Sequence, residues 1–528
     1  MYNNTVTAIK LQPVFLVACL LLLSFVAVAI YLWLDKLVLC TTPLPREQHD
    51  TPQLTACASC FRSSITVTSD NSTVRVRSSQ YSGKVLYSHF HSLHEIYASR
   101  SSSNATVTAA ESLRCSRWAV VSTINAPTAG IKVFNQIKSW CLLIIADTAS
   151  PLVYDVNAGV DDEDERIANV VYLSLKRQHE LARVIPLFKL LPFNHLGRKN
   201  LGYIYAIWHG ARYIWDFEDD VMILSRFRTK LHPPGLDGDD ADSSSKRQGS
   251  YEVHVPKGSY NADLFNPFPV FGASHNPSWP RGFPVDRVLS NSSSSPHSHA
   301  HYRPPQIELV AAIVPVETIA VVQYLANHDP DVDSIYRLTR PLPLDFPLYG
   351  VPPLIMPVYA SANGNDSKLH DGFPAIVPDH LGTVYAPYNA QSTMHMYCSM
   401  WALFLPVSLH LRVTDIWRSL IAQRLFSDIG ARIVIHPPIV THTVQEGRAE
   451  YVDDMLNELP LFVETRPLVQ FLRSWEGRSP VLPGRIEELF ICLFERGFLS
   501  ASDVSLVQAW IGTLIDVGYQ FPSLLRYG

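Results

Sequence analysis

An α/β architecture, built on a mainly parallel sheet with helices on both faces, is what three features of this 528-residue sequence predict. WAVVSTI, CLLIIAD and VVYLSL are short β-branched or aliphatic runs, each closed by a polar or turn segment. Helical spacing separates such runs: in GRKNLGYIYAIWHGARYIWDF, Leu201, Tyr205 and Trp208 fall at i, i+4 and i+7 before a strand begins. Strands that are apolar on both faces and alternate with helices suit a parallel sheet covered on both sides, whose ligands bind beyond the carboxyl ends of the strands.

The elements follow in order. Residues 1–10 form a short tail, read as cytosolic, and 11–35 a membrane anchor. Val14 to Leu34 is apolar except for Ser24 and the interfacial types Tyr31 and Trp33, long enough to span a bilayer and too long for a cleaved leader. Residues 36–114 are rich in Ser and Thr and read as a low-complexity stem. The strand–helix pattern occupies 115–460, interrupted near 228–251 and 289–305 by polar, Ser-rich insertions. Residues 461–528 carry apolar residues at three-four spacing and read as a helical C-terminal extension with Ser502 or Asp503 near an N-cap. Sequons at Asn71, Asn104, Asn291 and Asn365 agree with a lumenal body and a type II membrane protein of the secretory pathway. Eight cysteines fit an oxidising compartment, and their spacing leaves the pairing open.

A formal net charge of -5 and the absence of a Lys/Arg block argue against nucleic acid as the partner. YIWDFEDD instead puts Asp216, Glu218, Asp219 and Asp220 behind a buried strand. Carboxylates this close repel one another and call for solvent or a hard divalent cation. Upstream, Arg198, Lys199 and Asn200 stand at the entrance of the preceding helix, predicted over Asn200 to His209 with Gly210 as its stop. A basic helix entrance suits phosphate, so the two clusters together suit a metal-bound diphosphate.

A second segment reads RVTDIWRSLIAQRLFSDIGARIVIHPPIVTHT. It predicts a helix capped by Thr414 with Asp415 next, a stop at Gly430, a strand at ARIVI and a Pro-Pro turn leading to His442. Asp415 and His442 can return to one cleft, or Asp415 can pair with Arg412 or Arg418 while His442 stays on the surface.

In order and spacing these segments resemble the GT-A class of nucleotide-sugar glycosyltransferases. That resemblance implies that Glu218-Asp219-Asp220 is the metal motif with Asp220 the chief ligand, Asp216-Phe217-Glu218 being the alternative register. It also implies His442 as a late metal ligand, Asp415 as acceptor-side acid, and Arg198 and Lys199 at the diphosphate. Here Thr414-Asp415 stands where the class has Glu-Asp. Six blocks, among them SWCLLIIADTASP, FGASHNPSWPRGFPVD and HDPDVDSIYRLTRPLPLDF, are similar to the STELLO-like family of Golgi type II membrane proteins. The resemblance implies a Golgi glycosyltransferase, with plant members linked to cellulose synthase assembly. The expectation is therefore lumenal transfer of a sugar from a nucleoside diphosphate donor, UDP-linked, to a glycan or protein acceptor with Mn²⁺ or Mg²⁺. Asp415 would be the general base if the reaction inverts. Asp147 would touch the base or ribose, and Trp279, Arg281, Asn389 and Gln391 the sugar or acceptor. The competing expectations are a non-catalytic scaffold binding a polysaccharide synthase or another Golgi enzyme, and a nucleotide-sugar hydrolase.

Overall fold

The computed structural model describes residues 63–67, 74–78, 113–137, 139–156, 169–228, 231, 250–257, 263–290, 308–356, 369–370, 373–374, 384–442 and 448–525. The expected anchor, all four sequons and most of the stem and of both insertions lie outside them. Among the described residues no helix is long and apolar enough to cross a membrane. The chain divides into two units, Met1–Ala56 and Cys57–Gly528, and all that follows belongs to the second. Within the stretch read as a stem, Ser63–Val67 and Val74–Ser78 form an antiparallel pair. Apolar residues alternate along both, which is the period of a strand.

One 11-stranded sheet dominates. Its strands are β1 (Arg117–Thr123), β2 (Cys141–Ala146), β3 (Val170–Leu173), β4 (Tyr213–Phe217), β5 (Val221–Ile223), β6 (Ser250–Lys257), β7 (Glu308–Pro315), β8 (Ile319–Asn327), β9 (Leu354–Met356), β10 (Ser392–Met396) and β11 (Arg432–His442). They lie in the order β3-β2-β1-β4-β10-β8-β11-β9-β6-β7, with β5 on the end of β11. The parallel expectation holds for β3, β2, β1 and β4. Beyond β4 the sheet is mixed: β10 runs antiparallel to both its neighbours, β8 and β11 are parallel, and β6 and β7 form an antiparallel pair. Strand β10 is buried on both faces, as the parallel strands β2 and β4 are, so its composition carries no mark of direction.

Alternation along the strands feeds two cores. Trp118, Val120, Leu143, Ile145 and Ile214 face one side, and Ala119, Val121, Leu142, Ile144 and Trp215 the other. The first side is covered by α3 (Lys199–Trp208) and α5 (Leu411–Asp428), the second by α1 (Ala129–Asn135), while α2 (Leu175–Leu181) and α4 (Ser334–Thr339) come between them in the chain. Gly202 lets α3 rest directly on β1 and β2, because a Cβ there would come within 2.5 Å of Ile145 Cδ1 and 3.0 Å of Val120 Cγ1. The disulfide Cys115–Cys141 ties the entrance of β1 to that of β2.

Helix α5 starts three residues before the expected cap. His410 is the N-cap, its ring accepting from Arg412 N, while the Thr414 hydroxyl donates to Pro406 O inside the first turn. Nor do Pro437 and Pro438 make a turn. They lie within β11, where a register shift between Tyr324 and Ala326 of β8 absorbs the two residues that have no N–H to give. Helices also form the C-terminal segment: α6 (Arg448–Asn457), α7 (Leu459–Val463), α8 (Thr465–Ser474), α9 (Leu482–Glu495) and α10 (Ala501–Asp516). Ser500 is the cap of α10, which puts Ser502 and Asp503 next to it in the first turn, as expected. Asp503 accepts from Val407 N and Ser408 N, and Trp510 Nε1 donates to Trp401 O, which joins α10 to the first core.

Candidate metal centre

Strand β4 ends at Phe217, and the next three residues reverse the chain into β5. The turn is held from three sides. Glu218 N donates to Gln391 O, Val221 N donates back to Glu218 O, and the Thr128 hydroxyl that caps α1 donates to Asp219 O. Gly130 makes this approach feasible: a Cβ there would lie 2.2 Å from Val221 O. Strand β5 then pairs antiparallel with the end of β11, Val221 opposite His442.

The result is that Glu218, Asp220 and His442 each offer one ligand atom, all within 4.8 Å of one another. His442 Nδ1 donates to Asp329 O at 3.1 Å, so Nε2 faces Asp220 Oδ2, 2.9 Å away. Burial and the neighbouring Asp220 and Asp331 push the Glu218 carboxyl up to about 7. For His442 burial acts downward, but Asp220, Glu218 and Asp329 outweigh it and raise the imidazole to about 9. Two carboxylates crowded together with one imidazole form a donor set that suits a divalent cation such as Mn²⁺. The crowding itself supplies the test of fit: a cation would offset the burial and the like charges that together raise the Glu218 carboxyl.

The other acids of the opening cluster point elsewhere. Asp219 accepts from Asn125 Nδ2 at 2.9 Å, just beyond β1, and from the hydroxyl of Thr123, the last residue of that strand. Asp216 is buried on the opposite face, with Lys199 Nζ at 2.6 Å and Arg418 Nη1 at 3.2 Å.

Behind His442 lies a charged layer of which the sequence-based candidates include Arg281 and Asp415 but not Asp329, Asp331 or Arg337. Asp329 pairs with Arg337, and Asp331 accepts from Arg281 Nε and Nη2 at 2.8 and 2.9 Å. Against the pull of burial, the Arg281 charge lowers Asp331 to about 2. Asp331 has φ of 50° and His328 φ of 75°, conformations that cost energy for residues with a side chain. The signal was readable: IAVVQYLANHDPD repeats the arrangement of YIWDFEDD, an apolar strand that ends in acids.

Asp415 belongs to this layer. Its carboxylate receives Arg281 Nη1 and Nη2 at 3.0 and 2.9 Å and Ala390 N at 3.1 Å, and it is 1% exposed. Neither Arg412 nor Arg418 is its ion partner; those guanidiniums go to Glu458 and Asp216. Asn389 Nδ2 donates to Asp331, and Gln391 Nε2 to Asp329 O. These two amides line a cleft with Gln323 and Pro330 whose empty volume is about 340 Å³, part of it open to solvent.

The remaining expected contacts lie apart from the trio. Arg198 donates to Gln178 Oε1 and Leu191 O and stacks over Phe193, and burial lowers it to about 10. Asn200 makes a two-way pair with the Leu405 backbone. Asp147 accepts from Thr148 N and Asn194 N in a turn beyond β2. Trp279 Nε1 donates to the buried Asp333.

Residues 412–528, which run from α5 through α10, match the family model described as STELLO glycosyltransferases. The chain is 28% identical over 415 residues to "Probable glycosyltransferase STELLO2" of Arabidopsis thaliana, covering 78% of this chain and 46% of that protein. With "Probable glycosyltransferase STELLO1" of the same plant it shares 26% identity over 410 residues, 78% of this chain and 45% of the relative. The chain is thus similar to the STELLO glycosyltransferases. It spans just under half the length of these curated relatives. Of the charged groups described above, the matched segment contains Asp415, Arg418 and His442; Glu218 and Asp220 lie outside it.

Proposed function

We propose that this chain is a metal-dependent, GT-A-like glycosyltransferase that transfers a sugar from a nucleoside diphosphate donor, UDP-linked, to a glycan or protein acceptor in the Golgi lumen. The observation that carries the reading is the convergence of Glu218, Asp220 and His442, brought from β4 and β11 to one end of the sheet. Two relatives named as probable glycosyltransferases support the reaction class. The disulfide Cys115–Cys141 supports an oxidising compartment. Mn²⁺ or Mg²⁺, held by Asp220, Glu218 and His442, would neutralise the negative charge that develops on the leaving diphosphate.

The chain's own groups divide the remaining work. The bond from His442 Nδ1 to Asp329 O fixes the ring so that Nε2 faces the carboxylates. Asn389 and Gln391, at the cleft wall, are the groups available to an acceptor hydroxyl. Asp415, with both oxygens engaged, positions Arg281 and through it the Asp331 loop. Service as a general base would require Asp415 to release Arg281. That engagement is also what favours the second reading, a scaffold that keeps the fold and binds a polysaccharide synthase or other Golgi enzyme.

Calorimetric titration of the full chain with UDP-sugars, with and without Mn²⁺, beside Asp220→Ala, separates the two. Metal-dependent binding lost in the variant supports the transferase. A folded wild type that binds neither metal nor nucleotide sugar leaves the scaffold.

A further inference from the structure

The helical C-terminal segment reaches toward the metal centre through one carboxylate. Glu458 is the single residue between α6 and α7, and it is fully buried although its neighbours Asn457 and Leu459 are half-buried and exposed. A carboxylate removed from water must find donors. Glu458 finds them in two directions. Its Oε2 accepts from Ser334 N and from the Ser334 hydroxyl, both at 2.7 Å, and its Oε1 accepts from Arg412 Nε at 2.8 Å and from Arg412 Nη2. Ser334 is the first residue of α4, and Arg412 belongs to the first turn of α5. One acid thus ties together three parts of the chain.

Both partners lead to the acid loop that connects β8 to α4. Through Ser334 the tie reaches α4, whose Arg337 Nη2 donates back to Asp329 Oδ1 at 2.7 Å; Asp329 O in turn accepts from His442 Nδ1. Through Arg412 it reaches Asp331: Arg412 Nη1 is 4.0 Å from Asp331 Oδ1, while Glu458 holds Nε and Nη2 of the same guanidinium. Asp331 is thereby left to Arg281 and Asn389. The loop needs such support, because the left-handed backbone at His328 and Asp331 persists only where surrounding groups determine it.

We propose that Glu458 is a positioning residue for the metal centre: by anchoring α4 and restraining Arg412, it fixes the Asp329 carbonyl that orients the His442 ring. The inference rests on the metal reading of Glu218, Asp220 and His442, and it gives the C-terminal helices a share in that site. Without the Glu458 charge, Arg412 is free to compete with Arg281 for Asp331, and α4 loses the anchor at its first residue. The loop that steers the imidazole then loosens, and groups that orient a ligand ring set the affinity for the metal.

The test compares Glu458→Gln with Leu461→Ala in the full chain. Leu461, on α7 and 1% exposed, packs in the first core, so its truncation destabilises the same helices without removing a polar group of the network. Mn²⁺ affinity is measured by calorimetry, and amide hydrogen exchange over residues 328–336 is followed in the metal-free protein. Glu458→Gln is expected to speed exchange in that loop and to weaken Mn²⁺ binding about 10-fold, whereas Leu461→Ala changes Mn²⁺ affinity less than ~2-fold at a comparable fall in Tm. Should Glu458→Gln fail to fold, Ser334→Ala, which removes only the hydroxyl arm, carries the test and shifts both readouts the same way by a smaller amount. Unchanged Mn²⁺ affinity in the folded variant overturns the proposal, as does an equal loss in Leu461→Ala. A wild type that binds no Mn²⁺ is a distinct failure, that of the metal centre itself, and it overturns this inference with it.

Discussion

Asp216 and Asp220 stand four residues apart and occupy opposite electrostatic settings. Asp216 is fully buried between Lys199 and Arg418. Asp220 is 34% exposed, faces His442, and has the like charge of Glu218 beside it. The difference arises from what the neighbouring elements deliver. Helices α3 and α5 bring two cations to one face of β4, whereas Glu218 and Asp220 in the turn beyond it face His442 at the end of β11, next to the acid loop at 329–331. Carboxylates from a single octapeptide are thus divided between holding the fold and standing ready for a ligand.

The sharpest way to break this contrast is to remove each acid in turn. Asp216→Ala leaves Lys199 and Arg418 buried without their counter-charge, and should cost about 3–5 kcal/mol in urea or thermal unfolding. Asp220→Ala should leave metal-free stability within about 1 kcal/mol and lower Mn²⁺ affinity by more than ~100-fold in calorimetry, since loss even of an outer-shell partner commonly costs 10–100-fold. Equal stability losses in the two variants would erase the distinction.

The same contrast marks how far the sequence could be read. The helix at α3, the strand at β4 and the stop at Gly210, whose φ is 91°, were legible because local periodicity and glycine chemistry determine them. Glu218, Asp220 and His442 were legible as candidates, although the antiparallel β5 that brings His442 to the turn left no pattern longer than three residues. Which cation meets which acid was not legible. Lys199 and Arg198 are adjacent in sequence, yet one reaches Asp216 and the other Gln178 on a different element, and Asp415 finds Arg281 from 134 residues away. Such pairings are decided by sheet order and by which face a helix turns inward, and those are tertiary properties.

A third test uses pH. His442 is raised from 6.5 to about 9 and Glu218 from 4.5 to about 7, so both bind protons more tightly in the metal-free folded state. For His442 the sign is that its stabilisation is full below pH 6.5 and lost as pH rises through 9; for Glu218 it is full below 4.5 and lost through 7. A metal must displace the His442 proton, so Mn²⁺ affinity should climb by up to ~10-fold per pH unit between 7 and 9, with proton release visible as buffer-dependent heat. An affinity flat across that range would remove His442 from the ligand set.

The smallest expected effect separates two adjacent acids. Asp219 sits between Glu218 and Asp220, but its carboxylate turns to Thr123 and Asn125 at the end of β1, while the trio forms without it. Asp219→Asn should therefore weaken Mn²⁺ binding less than ~3-fold and lower stability by about 1 kcal/mol, the usual net worth of a lost hydrogen bond. Asn125→Ala, which removes the donor instead, should match it in stability and leave metal binding unchanged. If Asp219→Asn instead weakens the metal as much as Asp220→Ala does, the carboxylate must leave Thr123 and Asn125 when the cation arrives. The loop after β1 would then be coupled to metal binding rather than being a fixed wall of the turn.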